Sequence, residues 1–212
     1  LFFFARRFST KSWAPPPHFV LVPIGMVLGI AGAIFLSAVE LGSYSLKTET
    51  TGRLLLFYGP ILCFILGIGA KLVSALLGWS DSSLVKITRL NGDETSIMER
   101  IRNSEHLIIA ILLTAGFVLE VLGMSLVGRF LRAASASAIA FPRWKIQRPP
   151  RQPGRLARWL WISAWMLVIG LWLQVIAPDF GVHAAHLYFI GSFGLMTLMV
   201  ASRVTLAHRS EE

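Results

Sequence analysis

The sequence predicts an all-α, polytopic transmembrane bundle of about five helices, and three observations predict it. Hydrophobic residues make up 55% of the 212, charged ones 15%, and the mean hydropathy is +0.66, a balance far from that of a soluble domain. Five segments hold the roughly 20 apolar residues that a hydrocarbon core of ~30 Å requires. None of the five alternates like a barrel strand, and inside lipid only helices and closed barrels satisfy their own backbone. The net charge of +9 would suit nucleic acid in a soluble chain. Here the basic residues gather beside apolar segments, so the partner they indicate is the lipid bilayer and not nucleic acid.

The elements follow in order. Residues 1–18 form a lead-in: "LFFFARRFSTKSW" reads as the last turn of a preceding helix followed by basic anchors. The expectation is therefore a piece of a longer membrane protein, with a missing N-terminal half or a partner subunit. The bundle is expected over 19–206. Its first helix, Phe19–Leu41, carries Pro23 in its first turns, where a lost donor costs least. Gly25, Gly29 and Ala33 give that helix a small-residue packing face. The second, Leu54–Trp79, holds the single cysteine, Cys63, and Lys71, which can snorkel to the interface. A polar stretch over 80–105 contains the turn signal Asn91–Gly92. The third helix is predicted over Leu107–Val127. After it, 128–158 with "PRWKIQRPPRQPGR" is predicted to be an extended, solvated basic loop. The fourth helix spans Trp159–Ala177, the fifth His183–Leu206, and 207–212 is a tail.

Five passes place the loops alternately. Arg6, Arg7, Lys11, Lys86, Arg89, Arg100 and Arg102 fall on the N-terminal side. Lys47, Arg53, Arg129, Arg132, Arg143, Lys145, Arg148, Arg151, Arg155, Arg158 and Arg209 fall on the other. The excess marks that second side, and with it the C-terminus, as cytoplasmic. On this topology His18, His106, His183 and His186 all begin odd-numbered helices and share one membrane face. Only His208 lies at the other, roughly 33 Å from His186 along the helix, which makes it a second metal site or none.

The last helix has its own pattern. His183 and His186, three residues apart, share a sector of roughly 80° with Gly194, Thr197, Ala201 and His208 on a straight helix. Two imidazoles one turn apart can share a metal, or one can reach a haem iron. His106 is the expected partner from the third helix, where Gly116, Glu120 and Gly123 lie on nearly the same face. Glu120 is an intramembrane acid and should face protein. Arg203 either snorkels or pairs with Glu120. No nucleophile elbow, phosphate loop, CxxC pair or acidic metal cluster is present, so no catalytic residue stands out.

"HLYFIGSFGLMTLMVASRVTLAH" resembles the last transmembrane helix of the NnrS family, matching it at His186, Gly191, Gly194, Met196, Thr197, Arg203, Val204 and His208. Tyr58–Trp79, with Gly-x-Gly before Lys71 and then Leu-Leu-Gly, looks like a helix from the middle of that family. Ala207 and Ser210 stand where the family tends to have glycine, and its N-terminal histidine motif is absent. The resemblance, over the C-terminal part of the family, implies a bacterial inner-membrane protein that binds haem and copper. It also implies a role in denitrification or the nitric oxide response, with nitric oxide as ligand. Imidazoles of His106, His183 and His186 suit either metal. The competing classes are a secondary transporter using Glu120, Lys71 and Arg203, a cytochrome b-like electron-transfer subunit, and a structural subunit without cofactor.

Overall fold

A computed structural model describes residues 17–42, 45–79 and 94–209 of the chain. These residues are arranged as helical rods that pack antiparallel to their sequence neighbours. A single 3-10 turn, Pro17–Val20, leads into α1, Leu21–Glu40. The next rod consists of α2, Leu46–Arg53, a π-helical segment, Leu54–Tyr58, and α3, Gly59–Leu76. Pro60 accounts for the π segment, because it has no N–H for the carbonyl of Leu56 and its ring crowds that turn. The rods α4, Glu94–Val121, α5, Ser125–Ala140, and α6, Arg155–Ile176, follow. The last rod opens with the turn Pro178–Phe180 and α7, Gly181–His186, continues as a π segment, Leu187–Gly194, and ends in α8, Leu195–Arg209.

Five of these rods are long and apolar enough to cross a bilayer, as the sequence predicts. The sixth, α5, is the main departure. The expected third helix, Leu107–Val127, stops at Val121, and the expected basic loop over 128–158 is helical as far as Ala140. Gly123 causes the break. It adopts φ +96°, and the amides of Gly123 and Met124 bond back to the carbonyls of Glu120 and Leu119, a Schellman-type stop that favours glycine.

From that turn α5 runs back along α4. Gly116 and Gly128 bring the two backbones together: a Cβ on Gly128 would stand 2.5 Å from the Gly116 carbonyl oxygen and 2.9 Å from the Glu120 nitrogen. At the far end Arg143, just past α5, forms an ion pair with Glu105 of α4. Sixteen residues at 1.5 Å each give α5 a length of about 24 Å, so it traverses most of the bundle.

The loop after α5 is packed rather than solvated. Trp144 and Ile146 are fully buried, with the Trp144 ring over Gly69 of α3. The Ile146 carbonyl accepts the indole N–H groups of Trp161 and Trp165, at 2.6 and 3.0 Å. The amide of Arg151 donates to the Leu77 carbonyl, and the Arg151 guanidinium lies 4.4 Å from the Trp79 ring centroid. The glycine face of α1 packs as expected, although Gly32 takes the place of Ala33. Gly25 meets Cys63, Gly29 meets Pro60, and Gly32 meets the backbone of Leu56.

The extra pass reverses everything after it. α1 and α4 begin at one end of the bundle, called here the His106 end, and α5 returns to it. The last rod therefore starts at the opposite end, where His183 and His186 lie, and brings Arg203 and the backbone of His208 back to the His106 end. We predict that Gly128→Ala destabilises the detergent-solubilised protein by about 3 kcal/mol or prevents folding, since backbone atoms cannot yield as side chains do. Gly181→Ala, with nothing near its Cβ position, should stay within about 0.5 kcal/mol of the parent in thermal unfolding.

Candidate functional sites

His18 and His106 meet at the His106 end. His18 is on the 3-10 turn before α1 and His106 is on α4. Their rings stand 5.6 Å apart, inclined at 59°, and both side chains are buried, at 8% and 5% exposure. Gly67 of α3 makes room for the turn, its Cβ position lying 3.2 Å from the His18 carbonyl oxygen. The ion pair between Glu105 and Arg143 fixes the adjoining turn of α4 to the loop after α5.

The other predicted histidines are elsewhere. His183 and His186 are exposed on α7 at the opposite end, so the structure does not bring them to His106. The His183 ring is 5.7 Å from Phe180. His186 Nδ1 lies 2.8 Å from the Val182 carbonyl oxygen, a bond that leaves Nε2 as its outward-facing nitrogen. His208 lies in the last turn of α8, on the same side as His106 rather than across from it. Among the described residues no three His, Cys, Asp or Glu side chains gather as a metal-binding group.

The charged residues are rearranged too. Arg203 does not pair with Glu120; it donates to Gln152 Oε1 at 3.0 Å, at the other end of the bundle. Lys71 is exposed, consistent with snorkelling. Glu120 is instead neutralised by α5. Its Oε2 is 2.6 Å from Arg132 Nη2, and its Oε1 is 3.4 Å from Arg129 Nε. The Arg132 contact is an ion pair without the alignment of a hydrogen bond.

Arg132 is 1% exposed. The Tyr58 and Phe117 rings cover its guanidinium, with centroids 5.3 and 5.1 Å away, a cation–π arrangement that gains strength when dry. Tyr58 stacks on Tyr188 at 5.0 Å, and the Tyr188 hydroxyl donates to the Tyr58 carbonyl at 3.3 Å. Arg129 Nη1 donates to the Gln174 carbonyl of α6 at 3.3 Å. Tyr58 and Tyr188 each lie in one of the two π segments, a geometry that recurs at functional sites.

A family model matches residues 1–212, and its description is NnrS protein. The chain belongs to the NnrS family. The match covers all of it, not only the two helices that carry the resemblance. No curated protein and no solved structure matches it. In this NnrS chain the residues that sequence reasoning missed are Arg129, Arg132, Tyr58 and Tyr188. A signal for the arginines exists, because only two charges interrupt the sixteen small and apolar residues from Ser125 to Ala140.

The Glu120–Arg132 pair should couple energetically. Removing one partner strands the other charge inside the bundle, so the double variant Glu120→Gln/Arg132→Met should lose less stability than the two single losses summed. The expected discrepancy is about 1–3 kcal/mol in equilibrium unfolding. Glu120→Gln combined with Arg203→Gln should be additive to within about 0.5 kcal/mol. The reverse pattern would return Arg203 to Glu120.

Proposed function

We propose that this NnrS-family chain is a haem- and copper-binding membrane protein of the nitric oxide response or denitrification, with His18 and His106 as imidazole donors. The single observation that carries the assignment is the approach of these two buried rings in a chain of this family. The donor set fits the expected groups, because imidazole serves both haem iron and copper. The ring separation of 5.6 Å also suits two imidazoles sharing one ion, whose centroids stand roughly 5–6 Å apart when each metal–nitrogen bond is about 2.0 Å. Iron or copper held there would offer a coordination position to a small ligand such as nitric oxide.

The chain's own residues hold and orient the pair. Glu105 and Arg143 anchor the α4 side, and Gly67 seats the turn that carries His18. His183 and His186 are a second candidate donor pair, separate from the first. The hydrogen bond to Val182 fixes the tautomer that leaves His186 Nε2 for a metal. His208 is a further candidate at the His106 end, by the position of its helix.

The same end is proposed to face the cytoplasm, with the bilayer being a bacterial inner membrane. Arg143, Lys145, Arg148, Arg151, Arg155, Arg158, Arg203 and Arg209 lie at that end, and Lys47, Arg53 and Arg129 at the other. The sixth pass makes the charge asymmetry larger than five passes predict and keeps the C-terminus inside. The side itself changes, because His106 moves to the cytoplasmic end.

A reporter fused after Glu212 should be cytoplasmic, while reporters placed at Gly42 or Gly181 should be external; inverted signals would overturn the orientation. For the metal assignment, His18→Ala and His106→Ala should each lower bound haem or copper by about tenfold or more, and both should lose the same visible absorption feature. His186→Ala should spare it. Full occupancy in both His18→Ala and His106→Ala would remove the assignment.

A further inference from the structure

The Arg132 cluster holds more positive than negative charge, and the metal assignment above does not use it. Glu120 presents one carboxylate to two guanidiniums, those of Arg129 and Arg132. Arg132 is 1% exposed and Arg129 31%, so the surplus is shared between the interior and the edge of the bundle, where an uncompensated charge is expensive and marks function by default.

Donors exceed acceptors as well. Arg132 Nε and Nη1 are buried and meet no acceptor, and neither does the side-chain Nε2 of Gln174, which is 7% exposed. Leaving such donors unmet is costly, and more so where they are charged. The Tyr58 and Phe117 rings pack against the guanidinium, and its N–H bonds lie in its plane, so an acceptor must approach at that edge.

We propose that this cluster binds a small monovalent anion inside the bundle, held by Arg132 Nε and Nη1, with the Gln174 amide as a neutral donor on the same network. The charge of the ligand follows from the residues. Two arginines and one glutamate sum to +1, which a monoanion cancels and a dianion overshoots. Its size follows from burial, because a side chain 1% exposed with two aromatic rings packed against it suits only a ligand of a few atoms. Access is from the end where Arg129 is 31% exposed.

Sodium formate serves as the probe, with sodium gluconate as a carboxylate too large to enter. Thermal unfolding of the purified full chain in detergent should shift upward and saturate with formate, and should show no saturable shift with gluconate at equal ionic strength. Glu120→Gln raises the site to +2 and should lower the half-saturating concentration by about tenfold or more; Arg129→Gln takes it to zero and should raise it by a similar factor. Arg53→Gln, an exposed arginine paired with Glu49 at the same end, should leave the titration unchanged. A shift shared by formate and gluconate overturns the proposal. So does an equal half-saturating concentration in Glu120→Gln and Arg129→Gln, which would mean that water meets the donors. The readout involves neither haem nor copper, so it stands or fails apart from the metal assignment.

Discussion

A guanidinium inside an apolar bundle must keep its counter-charge within a few ångströms, and most of the helix arrangement follows from that requirement. Arg132 on α5 reaches Glu120 on α4 only because Gly116 and Gly128 let those two backbones touch. The same guanidinium lies against Tyr58, which stacks on Tyr188 of the last rod. Its neighbour Arg129 holds the end of α6 through the Gln174 carbonyl. A slip of α5 by one turn, about 5.4 Å, would break the ion pair and both aromatic contacts together. That register also decides where the following loop falls, placing Trp144 over Gly69 and Ile146 against two indole donors.

Five of the rods were legible because each is a run of apolar residues long enough to span lipid. α5 was not, and the reason is physical. It is short, its composition is small rather than strongly apolar, and its two arginines counted toward a basic loop. Gly123 is the residue that should have divided the third helix. It looked like one more small residue on a helix face, although glycine three residues past an intramembrane acid is equally a stop signal. The pairing of Glu120 was half visible: an acid that must face protein was expected, but its partner was sought on the last helix instead of across the turn. His18 and His106 were correctly placed at one end, because the error in topology begins only after them.

The helix-wheel argument for the last rod failed for a separate reason. Leu187–Gly194 is π-helical, and each such turn takes more residues than an α turn. A 100° projection therefore loses phase across this stretch, and residues on either side no longer share the stripe that it assigns them. Sequence gives no clear warning here, since Leu187–Gly194 contains no proline to force the wider turn, unlike Leu54–Tyr58 before Pro60. The two ends of the bundle consequently differ in chemistry. One has buried imidazoles and a packed cationic loop, and the other has exposed imidazoles and a partly shielded arginine.

The brevity of α5 has a consequence for how the chain enters its membrane. A sixteen-residue segment with two arginines partitions poorly into lipid alone, since each arginine near mid-helix adds about 2.5–3.5 kcal/mol to insertion. Its carboxylate partner, Glu120, precedes the tight turn by only three residues. α4 and α5 are therefore built to leave the translocon as one hairpin, with the charge of Arg132 already matched before lipid closes around it. The turn at Gly123 thus belongs to biogenesis as much as to the folded protein.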